Sequence, residues 1–105
     1  MKIKIGGQQQ TQQNLITMNK PYVDIKVTDK HIIREFNENI DPIELKWHRD
    51  KNSRTITILE GKGWYFQKDN KLPIELKEGT VIFIPAKEWH RVIKGNNTLK
   101  IKIEE

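Results

Sequence analysis

Trp47-His48-Arg49-Asp50 and Glu88-Trp89-His90 bracket the stretch that decides the fold, and two of the three histidines stand near its ends, 42 positions apart. Between them lie Thr55-Ile56-Thr57-Ile58-Leu59, Trp64-Tyr65-Phe66-Gln67, Leu72-Pro73-Ile74-Glu75-Leu76 and Thr80-Val81-Ile82-Phe83-Ile84-Pro85. Gly61-Lys62-Gly63, Lys68-Asp69-Asn70-Lys71 and Glu78-Gly79 separate these segments. Short β-branched and aromatic runs punctuated by glycine and polar turn residues read as strands that fold back on one another. Folding of that kind brings residues distant in sequence to one sheet face.

The flanks continue the pattern. Lys2-Ile3-Lys4-Ile5 alternates with period two and reads as a short edge strand. Gly6-Gly7 breaks it, and the polar run Gln8–Asn14 reads as a loosely held arm. Tyr22–Val27 is a strand, and Thr28-Asp29-Lys30 turns the chain into His31–Phe36. There Ile32, Ile33 and Phe36 would share a helical face, but the β-branched content favours a strand. Asp41-Pro42 marks a boundary, after which Ile43–His48 alternates again. Trp89–Ile93 follows, and Gly95-Asn96-Asn97 turns into Leu99–Ile103. Thr80–Pro85, apolar on both faces, is expected to be the most buried strand. About nine strands and no convincing helix predict an all-β sandwich or barrel. The expected organisation is an N-terminal strand and Gln-rich arm over 1–20 and a single β-barrel domain over 21–105.

Composition narrows the function classes. A chain of 105 residues fits one domain with a modest core. It has no cysteine, so disulfide and thiolate chemistry are excluded, and a reducing, cytoplasmic setting is expected. No apolar run approaches the ~20 residues of a membrane span, so a soluble protein with no membrane partner is expected. The net charge of +5 raises the question of nucleic acid. The basic residues form no stripe or motif, however, and many alternate with apolar residues as on a solvated sheet face. Nucleic acid is therefore not the expected partner.

At this point the residues resemble a cupin, the small double-stranded β-helix (jelly-roll) family. The family's first motif runs His-x-His, three or four residues, Glu, six residues, Gly. Here His48-x-Asp50, Arg54 and Gly61 keep that spacing while replacing two of the markers. The second motif runs Gly, five residues, Pro-x-Gly, two residues, His, three residues, Asn. Here Gly79, Pro85-x-Lys87, His90 and Lys94 keep the glycine, proline and histidine. The likeness covers about residues 43–103. It implies a cupin-like barrel with His48, Asp50, Arg54 and His90 pointing inward, where metal-binding members of the family place their ligands.

Two imidazoles and a carboxylate make the facial set of non-haem iron oxygenases, and His48, Asp50 and His90 reproduce it in composition. The order His-x-Asp and a distant His is also that of 2-oxoglutarate oxygenases, in which case Lys100 or Lys102 would hold the cosubstrate. Gln67 is a further candidate ligand, and Trp64, Phe66 and Phe83 are candidates for the pocket wall. By strict alternation Trp64 and Gln67 face opposite ways, so at most one of them lines it. Arg54 cannot coordinate a cation. If it turns inward it is expected to pair with Asp50, leaving a pocket suited to an anionic ligand.

Each of these residues also has a plain structural reading. Histidines in strands are commonly hydrogen-bonded and half-buried, Asp50 suits a surface turn, and His31 lies outside both motifs. Three function classes follow. The first is an enzyme, dioxygenase- or isomerase-like, using a divalent metal (Fe, Mn, Ni or Zn) on a small oxygenated substrate. The second is a metal-free module holding a small anionic ligand through Arg54, His48 and His90. The third is a non-catalytic structural domain. A homodimer is expected in each case, with Lys2–Ile5 and Leu99–Ile103 as candidate edge strands.

Overall fold

The structure, a computed structural model, describes residues 20–42 and 45–105. The expected strand Lys2–Ile5 and the Gln-rich arm lie outside the described residues. The described residues form eight strands: β1 (Tyr22–Val27), β2 (Ile32–Phe36), β3 (Arg54–Glu60), β4 (Tyr65–Lys68), β5 (Ile74–Glu75), β6 (Val81–Ile84), β7 (His90–Ile93) and β8 (Leu99–Glu104). They form a five-stranded sheet, β1-β2-β8-β3-β6, and a three-stranded sheet, β5-β4-β7, with every pairing antiparallel. This is the all-β, cupin-like barrel expected from the sequence. His31–Phe36 resolves as strand from Ile32 onward.

Period-two alternation sets what goes inside. On β8, Leu99, Ile101 and Ile103 are buried while Lys100 and Lys102 point outward. Strand register aligns Ile103 with Ile56 and Ile101 with Ile58, both buried on β3. Fully burying an isoleucine or leucine contributes roughly 1.5–3 kcal/mol, so the seam between these two strands is the main source of cohesion. Trp64, completely buried, closes one end of the core against Phe36, and its indole N–H donates to the Asn97 carbonyl. Gly95 is required there, because a Cβ would lie 2.5 Å from the Trp64 ring. Gly79 turns the chain into β6 with φ +85°, a conformation that glycine adopts without the clash of a Cβ.

Several expectations need correction. Thr80–Pro85 is not the most buried strand: β6 is an outer strand of its sheet and, among the described residues, pairs with β3 alone. Ile82 and Ile84 face the core, but Val81 and Phe83 are 62% and 58% exposed. The apolar run suggests two buried faces, but one face meets solvent. Leu99–Ile103, a candidate edge, is instead central, with β2 on one side and β3 on the other. Leu72–Leu76 shrinks to the two-residue β5. Of Ile43–His48, residues 43 and 44 are outside the description, and the rest is irregular apart from one bridge at His48. At the opposite edge, the register of β1 against β2 shifts between Asp24 and Lys26, and bulges and charges of this kind discourage further strand pairing.

Candidate metal centre

His48 and His90 are brought together by backbone. Each donates its N–H to the other's carbonyl at 2.9 Å, a single antiparallel pair. Their neighbours stack in two crossed pairs on the opposite face. Arg91 lies 4.9 Å from the Trp47 ring, and Arg49 lies 5.2 Å from the Trp89 ring. Cation–π pairs at partly exposed sites are worth about 0.5–1 kcal/mol each. Here they brace an otherwise irregular segment on both sides of His48. Two further contacts tie the loops that carry the site: Lys87 N–H donates to the Asp50 carbonyl at 2.7 Å, and Ala86 N–H to Ser53 Oγ at 3.1 Å.

Lys87 occupies the place of the glycine in the second motif, and the structure shows what that position needs. Its φ is +65°, in the left-handed region, which costs a residue bearing a Cβ roughly 1–2 kcal/mol.

The ring tautomers follow from chemistry. Nδ1 of His48 lies 3.0 Å from the Lys46 carbonyl, and Nδ1 of His90 lies 2.8 Å from the Glu88 carbonyl. A carbonyl oxygen only accepts, so each Nδ1 carries a proton and donates it. Burial holds the His90 pKa below the ordinary value, and the positive charges of His48 and Arg54 act in the same direction; the Glu88 carbonyl and Asp50 oppose them. A neutral His90 therefore presents an Nε2 lone pair. That lone pair lies 3.3 Å from Asp50 Oδ2, while His48 Nε2 lies 4.0 Å from Asp50 Oδ1. One donor atom from each of His48, Asp50 and His90 falls within 4.8 Å of the others. With each Nδ1–H committed to a carbonyl, both imidazoles turn Nε2 toward the Asp50 carboxylate, and two imidazole nitrogens and a carboxylate at this spacing are a donor set that fits a cation. Carbonyl-anchored Nδ1–H groups are also the usual orienting contacts of metal-bound histidines.

The burial of the three is graded. His90 is enclosed, with Phe66 5.5 Å from its ring; Asp50 is mostly covered; His48 is half exposed at the mouth. Behind them opens a cavity of about 330 Å³ lined by isoleucines and Leu99 of the larger sheet and by Phe66 and Val92 of the smaller one.

Arg54 also lines that cavity and forms the expected ion pair with Asp50, but its hydrogen bond goes to a second carboxylate. Its Nε donates to Glu105 Oε2, while Nη1 lies 3.6 Å from Asp50 Oδ2, beyond hydrogen-bond reach. The Arg54 hydrogen bond holds the Glu105 carboxyl below its ordinary pKa. Sequence offered no signal for this pair, because the partners are 51 positions apart and the register of β3 with β8 joins them.

The other candidates fall elsewhere. Phe66 lines the cavity. Gln67 stands on the outer face, accepting from Arg91 Nε at 2.8 Å and donating to the Lys71 carbonyl, so it is not a ligand of this cluster. Trp64 belongs to the core and does not line the cavity, and Phe83 points to solvent from the outer face of β6. Alternation correctly opposed Trp64 to Gln67, yet neither reaches the cavity. Lys100 and Lys102 pair outward with Glu60 and Glu104 and hold nothing in the barrel. The cross-strand Arg–Trp pairs were missed altogether, although both Trp-His steps were visible in the sequence.

A family model for the cupin domain matches residues 39–101, more than half of the chain. Among solved structures, the chain is similar to a cupin-2 domain containing protein from Shewanella frigidimarina, at 18% identity and TM-score 0.55, covering 86% of this chain and 83% of that one. It is similar to the DMSP lyase DddQ from Ruegeria pomeroyi at 15% identity and TM-score 0.60, covering 72% of this chain and 38% of the lyase. HppE, solved with Co(II) and substrate, matches at 17% identity and TM-score 0.52, covering 71% of this chain and 43% of HppE. At these identities the likeness is one of fold, and the chain spans under half the length of the lyase and of HppE. No curated protein sequence matches it.

Proposed function

The chain belongs to the cupin family, and we propose that it holds one divalent metal ion through Nε2 of His48, Nε2 of His90 and the carboxylate of Asp50. The observation that carries this reading is the convergence of the Asp50 carboxylate with two imidazoles whose Nδ1–H groups are already committed to carbonyls. A divalent ion (Fe, Mn, Ni or Zn) bound there would supply Lewis acidity and open positions for a small oxygenated substrate, as suits dioxygenase- or isomerase-like chemistry. The chain's own residues do the rest. The mostly apolar wall favours the apolar part of a substrate, burial holds the His90 pKa below its ordinary value, and Arg54 sets a positive charge at the cavity wall. HppE, of similar fold, is described with Co(II) and substrate together, which is consistent with metal chemistry in such a barrel.

A metal-free binding module remains the second reading, because Arg54 already holds one carboxylate at the cavity. A homodimer would be built through β1 or β6, the outer strands of the large sheet, and not through β8.

Elemental analysis of protein purified without chelator or affinity-tag metal tests the reading. One equivalent of metal, absent from His90→Ala, supports it. Protein that stays metal-free after anaerobic incubation with iron and manganese contradicts it and leaves the binding module.

A further inference from the structure

We infer that the cavity takes a monocarboxylate with an apolar tail, its carboxylate at the metal and Arg54 and its tail among the core isoleucines. The inference rests on the metal reading above and adds the class of ligand.

Three observations carry it. The first is the division of polarity within the cavity. Among the described residues His90 is the one buried polar side chain, and it lies at the metal cluster. Tyr22, Arg34 and Lys46 also line the cavity, but most of its wall is apolar, made by residues such as Ile56, Ile82, Leu99 and Ile101. A ligand with hydroxyl or charged groups along its length would leave them unpaired against this wall, at a cost of about tenfold or more in affinity per group.

The second is charge. Arg34 is balanced by Asp24, with Nε to Oδ1 at 2.7 Å, and Arg54 is balanced by Glu105. Lys46 lines the cavity as well, so a divalent ion on Asp50 would leave an excess of positive charge, which an anionic head group offsets.

The third is that a carboxylate already fits beside Arg54. The Glu105 carboxylate sits on the guanidinium Nε, with Asn52 Nδ2 at 3.5 Å and the positive charge of Arg34 acting on it from across the mouth. The Glu105 side chain is more than a third exposed, so an incoming carboxylate can share or take this seat without opening the core.

The test is a homologous series, acetate to decanoate, titrated calorimetrically into protein whose Mn(II) content has first been measured. The 1-alkanol and the α,ω-dicarboxylate of each chain length serve as comparisons. Affinity should rise about three- to fourfold per methylene until the cavity is full, and then level or fall. Alkanols and dicarboxylates of matching length should each bind at least tenfold more weakly. Arg54→Gln should narrow the gap between acid and alkanol while leaving Mn(II) content and the methylene increment unchanged. A series flat in chain length, alkanols equal to acids, dicarboxylates equal to monocarboxylates, or no acid binding to Mn(II)-loaded protein would each overturn the inference while leaving the metal site standing. Protein that takes up no Mn(II) overturns the metal reading and this inference with it. Repeating the series on that metal-free protein then measures the binding module instead.

Discussion

The two histidines of the site are held in different ways. His90 opens β7, is buried, and is flanked by residues paired to β4 through regular ladder contacts. His48 sits half exposed in a segment with one bridged residue, kept in place by its backbone pair with His90, its Nδ1–H bond to Lys46 and the Arg–Trp stacks on either side. One ligand is set by the fold, the other by a handful of local contacts. The same contrast separates the β3–β8 seam, where burial sets the register, from residues 45–53, where few apolar side chains are available to do so. Stability should therefore reside in the first region and metal affinity should be adjustable through the second.

The largest effect that would sharpen this contrast is in the seam. Ile58→Ala removes most of a side chain that is 1% exposed and should cost about 2–5 kcal/mol of stability, read by urea denaturation. His48→Ala should do the reverse, abolishing bound metal while leaving the denaturation midpoint close to that of the metal-free parent. If His48→Ala instead unfolds the barrel, the segment is structural and the division fails.

A smaller effect is expected at the braces. Trp47→Leu removes one cation–π partner, and because that pair acts on His48 through the backbone, metal affinity should fall about 10–100-fold. Stability should fall by no more than about 1 kcal/mol. Arg91→Lys, which keeps a cation over the ring, should recover part of the affinity, whereas Arg91→Gln should not. Equal losses in the Lys and Gln variants would show that the stacks do not position the histidine.

Lys87→Gly should raise stability by about 1 kcal/mol, since it relieves the left-handed backbone, and should leave metal content unchanged. A thermal melt decides it.

The smallest effect is in pH dependence. The His90 pKa is lowered in the folded protein, so below the ordinary histidine value of ~6.5 the unfolded chain takes up a proton that the native state resists. Stability of the metal-free protein should thus decline as pH falls from ~6.5, and the decline should be shallower in His90→Leu. Glu105 acts at lower pH. Its depressed carboxyl favours the native state above its ordinary value, and that contribution is lost as pH falls through the carboxylate range. Its exposure keeps the contribution small.

Much of the barrel was legible because alternation carries physical information. Lys100 and Lys102 between buried neighbours told which face of β8 meets water, and the resemblance to the cupin motifs implied the meeting of His48 with His90 that the backbone bridge shows. The rest was hidden where the information lies in pairing order. Val81 and Phe83 read as buried because nothing local marks β6 as an outer strand. Glu105 could not be matched to Arg54 without the register of β3 on β8, and the Trp47–Arg91 and Trp89–Arg49 pairs appear only once the His48–His90 bridge is known.

The central claim concerns two nitrogen atoms, and NMR of the imidazole nitrogens in uniformly ¹⁵N-labelled protein reads them directly. Nδ1 of both His48 and His90 should carry a proton, held on the Lys46 and Glu88 carbonyls, and one equivalent of Zn(II) should shift both Nε2 resonances together while leaving both Nδ1 protons in place. An Nε2–H tautomer at either histidine, or Nε2 resonances unmoved by metal, would contradict the account.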